Sequence, residues 1–145
     1  MGDISKDIQS TFPNEWVKGL INIRYTSHWI GSISEKKFAA FGISSQQYNV
    51  LRILRGAKEA IKVNVVKDRM IEKTPNTTRL MDKLCIKELI ARKRCDSDRR
   101  AVYVEITKTG LELLDNIPTK DDMKILSKLT KEEAIELNRL LDKIR

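Results

Sequence analysis

The chain has 145 residues, of which 41% are hydrophobic and 33% are charged. This composition is typical of one soluble globular domain and excludes a chain that is disordered as a whole. The formal net charge is +8, which favours a polyanionic partner. No apolar run approaches the length that spans a membrane, and the N-terminus does not follow the order of a signal peptide, so we expect a cytoplasmic protein.

Side chains that commonly perform catalysis or bind metals are scarce. His28 is the only histidine, and the two cysteines, Cys85 and Cys95, form no C-x-x-C pair. The chain also has no Gly-rich phosphate loop and no G-x-S-x-G motif. We therefore predict no enzyme, no metal site and no cofactor, and two thiols are too few for a disulfide framework.

The first part of the chain is expected to form two helices. Apolar residues recur near helical spacing over residues 15–40, and Gly42 should close this long helix. Ser44 or Ser45 can cap a second helix that should end at Gly56. An aromatic stripe on such helices is more often core than binding site. The aromatic groups of these two helices are Trp16, Tyr25, His28, Trp29 and Tyr48.

A short strand and two more helices are expected next. Residues 60–62 could add a strand to a sheet, and apolar residues at helical spacing predict a helix over residues 63–71. Thr74 can then cap a further helix, and the fixed φ of Pro75 suits its first turn. The apolar residues of this helix fall on one side and are Leu80, Met81 and Leu84. Its other side is left polar and can hydrogen-bond bases or phosphates.

The sequence that follows is typical of a β-hairpin. Leu89-Ile90-Ala91 is a short apolar run that favours a first strand. Residues 92–100 are too charged to be buried, so we expect them to form a solvated turn. Over residues 102–107 apolar and polar side chains alternate with a period of two, which predicts a second strand with one packed face.

Positive charge is concentrated on this helix and hairpin. Residues 62–100 contain twelve Lys or Arg against six Asp or Glu, a local charge of about +6. A basic run is usually just a solvated face. Here it coincides with a polar helix and a hairpin, which favours a nucleic acid as the partner.

The C-terminal part should add further helices. Residues 111–117 have a helical pattern that Pro118 must break or kink. Thr130 and Glu133 have the spacing of a capping box, which would begin a last helix with an apolar stripe up to Ile144. That stripe needs a cover, either from the same chain or from a second subunit.

The helix and hairpin resemble the DNA-reading half of the MarR family of bacterial transcription regulators. The family pattern of a wing Asp-x-Arg, an alternating strand and Leu-Thr-x-x-Gly corresponds here to Asp98-Arg99-Arg100, residues 102–105 and Ile106-Thr107-Lys108-Thr109-Gly110. Residues 42–54 resemble the helix that opens the family's core. One departure is Glu88, where many members have Gly, so we do not expect a left-handed cap after the helix.

The resemblance implies a mainly α fold of the α+β winged helix-turn-helix class, with about six helices and a small β-hairpin wing. It implies one domain over residues 1–145, with a DNA-binding core at 42–107 and a helical dimerisation region at 1–41 and 108–145. Such a homodimer would bind double-stranded DNA at a pseudo-palindromic operator and regulate transcription, by family default as a repressor. The alternative is a winged-helix module for protein contacts or nonspecific DNA binding.

Individual DNA contacts can also be assigned as expectations. Arg79 is the best candidate for a guanine contact, although an ion pair with Asp82 would leave it a surface residue of little consequence. The resemblance places Arg100 in the minor groove, with Asp98 holding it; the alternative is an exposed pair without a role. The expected DNA-contacting residues are Thr74, Asn76, Thr77, Thr78, Arg79, Lys83, Lys93, Arg94, Asp98, Arg99 and Arg100.

Two modes of control follow from the resemblance. Family members often hold small phenolic or anionic ligands between the dimer helices and the DNA-reading helix, so the aromatic groups named above are candidates for binding an aromatic or anionic effector. Redox control is the rival, because Cys95 lies among cations that favour a thiolate. Thiol-sensing relatives, however, usually place the reactive cysteine in the N-terminal helix, where this chain has none.

Overall fold

Helices dominate the computed structural model, which describes residues 2–72, 76–94, 102–118 and 124–145. Seven helices and three strands lie within these ranges. The helices are α1 (Ile4–Asp7), α2 (Glu15–Ala39), α3 (Ser45–Ala57), α4 (Val63–Arg69), α5 (Thr77–Ile86), α6 (Lys108–Asn116) and α7 (Lys131–Ile144). The strands are β1 (Ile61–Lys62), β2 (Ile90–Arg94) and β3 (Val102–Ile106).

The long N-terminal helix and the turn after it agree with the sequence prediction. The Asn14 side chain caps α2 by accepting a hydrogen bond from the N–H of Val17 at 3.0 Å. After the helix ends, Gly42 takes a left-handed φ of +71°, a conformation that glycine adopts at little cost. The Lys87 ammonium donates to the Gly42 carbonyl, which ties this turn to the end of α5.

Helix α3 has the predicted start but not the predicted end. Ser44 and Gln47 form a capping box, in which the Ser44 hydroxyl accepts from the Gln47 N–H at 3.2 Å and the Gln47 side chain accepts from the Ser44 N–H at 3.0 Å. The end expected at Gly56 is wrong, because the helix continues to Ala57. Lys58 instead takes the left-handed conformation, with φ 59°.

The sheet is antiparallel and has the strand order β1-β3-β2. Ile61 pairs with Val104, which confirms the short strand predicted before α4. The turn expected over residues 92–100 is wrong at its start, because Arg92 and Lys93 belong to β2 and pair with Val104 and Tyr103. Arg92 and Lys93 can belong to the strand without burying their charges, since β2 is an edge strand and both side chains remain partly exposed.

The core surrounds α3, which packs against α2, α4, α5, α6 and β3. Its members are apolar side chains from each of these elements, and burying them supplies the main driving force for folding. The fully buried ones among them are Val50, Leu51, Leu54, Val66, Met81, Leu84 and Val104. One core therefore fixes α5 and the hairpin on the same support. Over the described ranges, no helix combines the length and apolar character needed to cross a bilayer.

Candidate nucleic-acid interface

Helix α5 has Thr77 as its first residue, and Asn76 occupies the N-cap position. The cap predicted at Thr74 and the first-turn position predicted for Pro75 lie outside the described residues.

The two sides of α5 divide as the apolar spacing predicts, with one exception. Met81 and Leu84 are fully buried, whereas Arg79 and Lys83 are exposed. Asn76 and Thr78 are exposed as well. Thr77 was expected to contact DNA, but it is only 1% exposed. The reason is its spacing, because a residue four before Met81 and seven before Leu84 lies on the same side of the helix.

The end of α5 has the left-handed cap that the sequence argued against. Glu88 has φ 59°, its N–H donates to the Cys85 carbonyl at 2.9 Å, and the Leu89 N–H donates to the Leu84 carbonyl at 3.0 Å. These two bonds form a Schellman motif, which satisfies helix-end carbonyls without requiring glycine. Leu89 is buried beyond the cap. The expectation based on Glu88 was therefore wrong.

Thr107 and Gly110 join the hairpin to the end of α5. The Thr107 hydroxyl donates to the Glu88 carbonyl at 2.7 Å and accepts from the Gly110 N–H at 3.1 Å. The Thr107 N–H also donates to the Leu89 carbonyl at 3.1 Å. A Cβ on Gly110 would overlap that carbonyl oxygen. The Thr-x-x-Gly pattern thus permits a close approach between the start of α6 and the residues that follow α5.

Two ion pairs anchor the cations of β2. Arg92 Nη2 lies 2.6 Å from Asp82 Oδ1 on α5, and Lys93 Nζ lies 2.8 Å from Glu105 Oε1 on β3. Among the described residues, the ion-pair partner of Asp82 is therefore Arg92 and not Arg79. No sequence signal points to this role of Arg92, because the charge run that contains it is typical of a turn.

The predicted wing is described in part. Asp98, Arg99 and Arg100 lie outside the described residues, as Thr74 does. Arg94 is the last residue of β2. Lys93 is exposed on the same strand. Of the predicted set, the structure brings Asn76, Thr78, Arg79, Lys83 and Lys93 to exposed positions on α5 and β2.

The aromatic groups predicted to bind an effector are dispersed. A cleft of about 290 Å³ lies between α2, α3 and residues 70–72, and Tyr48 lines it. The Tyr48 ring is buried and stacks on Phe38 with 4.1 Å between centroids. His28 lines a neighbouring groove along α2. The others are exposed on α2, namely Trp16, Tyr25 and Trp29.

Cys85 lies beside the Arg92 and Asp82 pair. Burial raises the pKa of its thiol, the Asp82 carboxylate raises it further, and the Arg92 guanidinium opposes both. A raised pKa leaves less thiolate at neutral pH. Cys95, the candidate for redox control, lies outside the described residues. Within the described ranges, no three His, Cys, Asp or Glu side chains converge as a metal site would require.

The sequence of this chain is similar to those of known transcription regulators. Residues 32–117, more than half of the chain, match the family model of the transcriptional regulator SarA/Rot. The HTH-type transcriptional regulator MgrA of Staphylococcus aureus is 28% identical over 112 residues, which cover 77% of this chain and 76% of MgrA.

Two solved structures have the same fold. The MarR transcription factor from Planctomyces limnophilus is 32% identical with a TM-score of 0.69, and the match covers 91% of this chain and 98% of that one. A mutant MarR from E. coli, complexed with operator DNA, is 23% identical with a TM-score of 0.80 and coverage of 93% and 99%. These matches confirm the mainly α winged helix-turn-helix fold.

The similar proteins are transcription regulators, in agreement with the prediction that this chain is not an enzyme. The family match begins within α2, ends at Ile117 and includes α3 to α6 and the sheet. The chain therefore belongs to the SarA/Rot family of MarR-like, DNA-binding transcriptional regulators.

Proposed function

We propose that the protein is a sequence-specific regulator that binds a pseudo-palindromic operator as a homodimer. The main support is the difference between the two sides of α5. Thr77, Met81 and Leu84 are buried, whereas Arg79 and Lys83 are exposed. A helix with one side fixed in a core and the other side cationic suits the major groove. We call α5 the reader helix from here on.

Specific roles follow from the chemistry of the exposed side chains. Arg79 would contact a guanine, where a bidentate pair discriminates against a wrong base by about 1–3 kcal/mol. Asn76 would contact adenine or a phosphate, and Thr78 would contact a base or a phosphate. Lys83 and Lys93 would contact phosphates, which set the register but do not read sequence.

The wing would read the minor groove. We propose this role for Arg100, with Asp98 restricting its rotamers and with Arg94 and Arg99 on phosphates, from the Asp-x-Arg pattern. The negative potential of a narrow minor groove attracts a guanidinium. The described parts of β2 and β3 support the proposal, since the two strands pair with each other and β2 packs on the reader helix.

The helices outside the core would form the dimer. No residue of α7, which is described over its whole length, is buried, and Ile135, Leu140 and Ile144 are exposed on it. Helix α2 likewise exposes Trp16 and Leu20. Such apolar surface favours an isologous contact with a second copy. We therefore propose residues 1–41 and 108–145 as the dimerisation region around a core of residues 42–107.

Control would come from a small molecule. The cleft between α2 and α3 is lined by Tyr48, Asn49 and Arg52, which suit an aromatic or anionic ligand. It is also lined by Met70 and Glu72, which precede the reader helix in the chain. A ligand bound in this cleft would release the protein, acting as a repressor, from its operator. This regulation would take place in the cytoplasm.

Selection of bound sequences from a random duplex pool tests the proposal. We expect enrichment of a pseudo-palindrome whose half-sites are about one helical turn, roughly 10 base pairs, apart. Lack of any enriched motif despite tight binding would instead indicate a nonspecific DNA-binding module. Lack of DNA binding altogether would indicate a module for protein contacts.

A further inference from the structure

One ion pair crosses from the hairpin to the reader helix. Arg92 is paired in register with Val104, whose side chain is fully buried. Residues directly opposite each other on adjacent strands share a face of the sheet. The Arg92 side chain therefore leaves β2 on the side that packs against the reader helix, where its Nη2 atom lies 2.6 Å from Asp82 Oδ1.

Asp82 is placed among the cations proposed to meet DNA. It follows Arg79 by three residues and directly precedes Lys83. Residues three apart are neighbours on a helix surface. An unpaired carboxylate at this position would repel phosphates, whereas an unpaired Arg92 would offer them one more cation. The ion pair removes both effects together.

Stability does not account for the pair. The side chains of Arg92 and Asp82 are 37% and 48% exposed, and ion pairs with such exposure contribute little to folding. Their charges matter more for DNA binding, because each cation free to contact a phosphate strengthens binding to every sequence alike. Contacts to base edges alone distinguish one sequence from another.

We propose that Asp82 is a specificity-determining residue, which holds the Arg92 guanidinium against the reader helix and withholds it from DNA phosphates. The inference rests on the proposed function of α5 as the reader helix. Releasing Arg92 should raise affinity for unrelated DNA more than affinity for the operator. The protein with Asp82 intact therefore gains selectivity rather than affinity.

The test compares Asp82→Asn with wild type on the selected operator and on a scrambled duplex of the same length, over a series of salt concentrations. We expect the ratio of the Kd for the scrambled duplex to the Kd for the operator to fall about tenfold. The slope of log K against log salt for the scrambled duplex should steepen by about 0.9, the value for one added phosphate contact. The thermal midpoint should stay within about 2 °C of wild type, since an exposed pair contributes little.

Two further variants separate this role from a general change of charge. Asp115→Asn removes the same charge and releases Arg55, whose Nη1 atom lies 3.6 Å from Asp115 Oδ1. This ion pair joins α3 to α6, whereas the Arg92–Asp82 pair joins the hairpin to the reader helix. Asp115→Asn should leave the Kd ratio and the slope unchanged. Adding Arg92→Gln to Asp82→Asn should return the slope to the wild-type value, because the released cation is then absent.

The outcomes are distinct. An unchanged Kd ratio and slope in Asp82→Asn, or an equal loss of affinity for both duplexes with a lower thermal midpoint, would overturn this inference alone. An equal change in Asp115→Asn would overturn it too, because net charge and not position would then be responsible. A wild-type protein that binds all duplexes equally would overturn the proposed function and this inference with it.

Discussion

Gly110 and Thr107 show how single residues fix the distance between the reader helix and the hairpin. The Thr107 hydroxyl is both donor and acceptor, and it connects the Glu88 carbonyl to the first turn of α6. Gly110 allows the backbone of that turn to approach Leu89. The left-handed Glu88 supplies the carbonyl at the required position. A change at any of these positions should therefore alter the placement of the elements that we propose to bind DNA.

Substitution of Gly110 tests this close approach. Gly110→Ala should lower the free energy of unfolding by about 1–3 kcal/mol, because the added methyl group overlaps backbone that cannot move alone. Urea denaturation measures the change. Gly56→Ala is the matched control, since nothing lies within 4 Å of a Cβ there. In the helix it should gain about 0.5–1 kcal/mol, and equal losses in both variants would contradict the explanation.

The Cys85 thiol offers a test through pH. Its pKa is raised mainly by burial, so its thiolate fraction at neutral pH should be below that of an ordinary cysteine. In a Cys95→Ser background, alkylation should be slow at neutral pH. Its rate should keep rising at a pH where the rate for a small model thiol has levelled off. Rapid labelling at neutral pH would show that the thiol is neither buried nor shielded as the structure indicates.

The reader helix and the hairpin act together at the scale of elements. Both pack on α3, and the Arg92–Asp82 pair and the Thr107 junction connect them directly. This arrangement should allow α5 to lie in a major groove while the wing enters the neighbouring minor groove. Loss of a wing contact should thus weaken DNA binding while the fold is retained.

Arg100→Ala tests the contribution of the wing. We expect operator affinity to fall at least about tenfold, since one charged minor-groove contact is lost, while the thermal midpoint stays near that of wild type. Fluorescence anisotropy at moderate salt measures the affinity. Lys108→Ala is a suitable control, because Lys108 is a highly exposed cation on α6. Affinity close to wild type in Arg100→Ala would remove the wing from the proposed function.

The whole molecule presents apolar surface that a single chain leaves exposed. Trp16 is 85% exposed on α2 and Ile144 is 69% exposed on α7. Helix α2 contributes one buried residue, Phe38, to the hydrophobic core, and α7 contributes none. A second copy that covers these helices would also set the spacing of the two reader helices, and hence the spacing of operator half-sites.

Leu140→Arg tests the dimer. A charge within the exposed apolar stripe of α7 should convert the protein to a folded monomer, because an unpaired charge is costly to bury at an interface. Sedimentation at micromolar concentration measures the mass, and circular dichroism checks the fold. Asn138→Arg adds the same charge at a polar position of α7 and should remain dimeric. A monomeric wild-type protein would contradict the proposed assembly.

The sequence by itself determined the elements whose signals are local. The cap at Ser44, the capping box at Thr130 and the strand β3 appear in the structure as predicted. Side-chain caps and periodicity depend on residues within a few positions of one another, so they can be recognised without knowledge of the fold. The family pattern around Asp98 and Gly110 indicated the fold class for the same reason.

Only the tertiary structure decided the features that depend on distant partners. Thr77 is buried because α5 packs on the core, and Arg92 pairs with Asp82 because β2 passes beside the helix. Glu88 is left-handed because hydrogen bonds to the end of α5, and one from the Thr107 hydroxyl at the start of α6, hold its backbone. Burial and ion pairing depend on what the fold places opposite a residue, and the residue's own neighbours in the chain do not specify that.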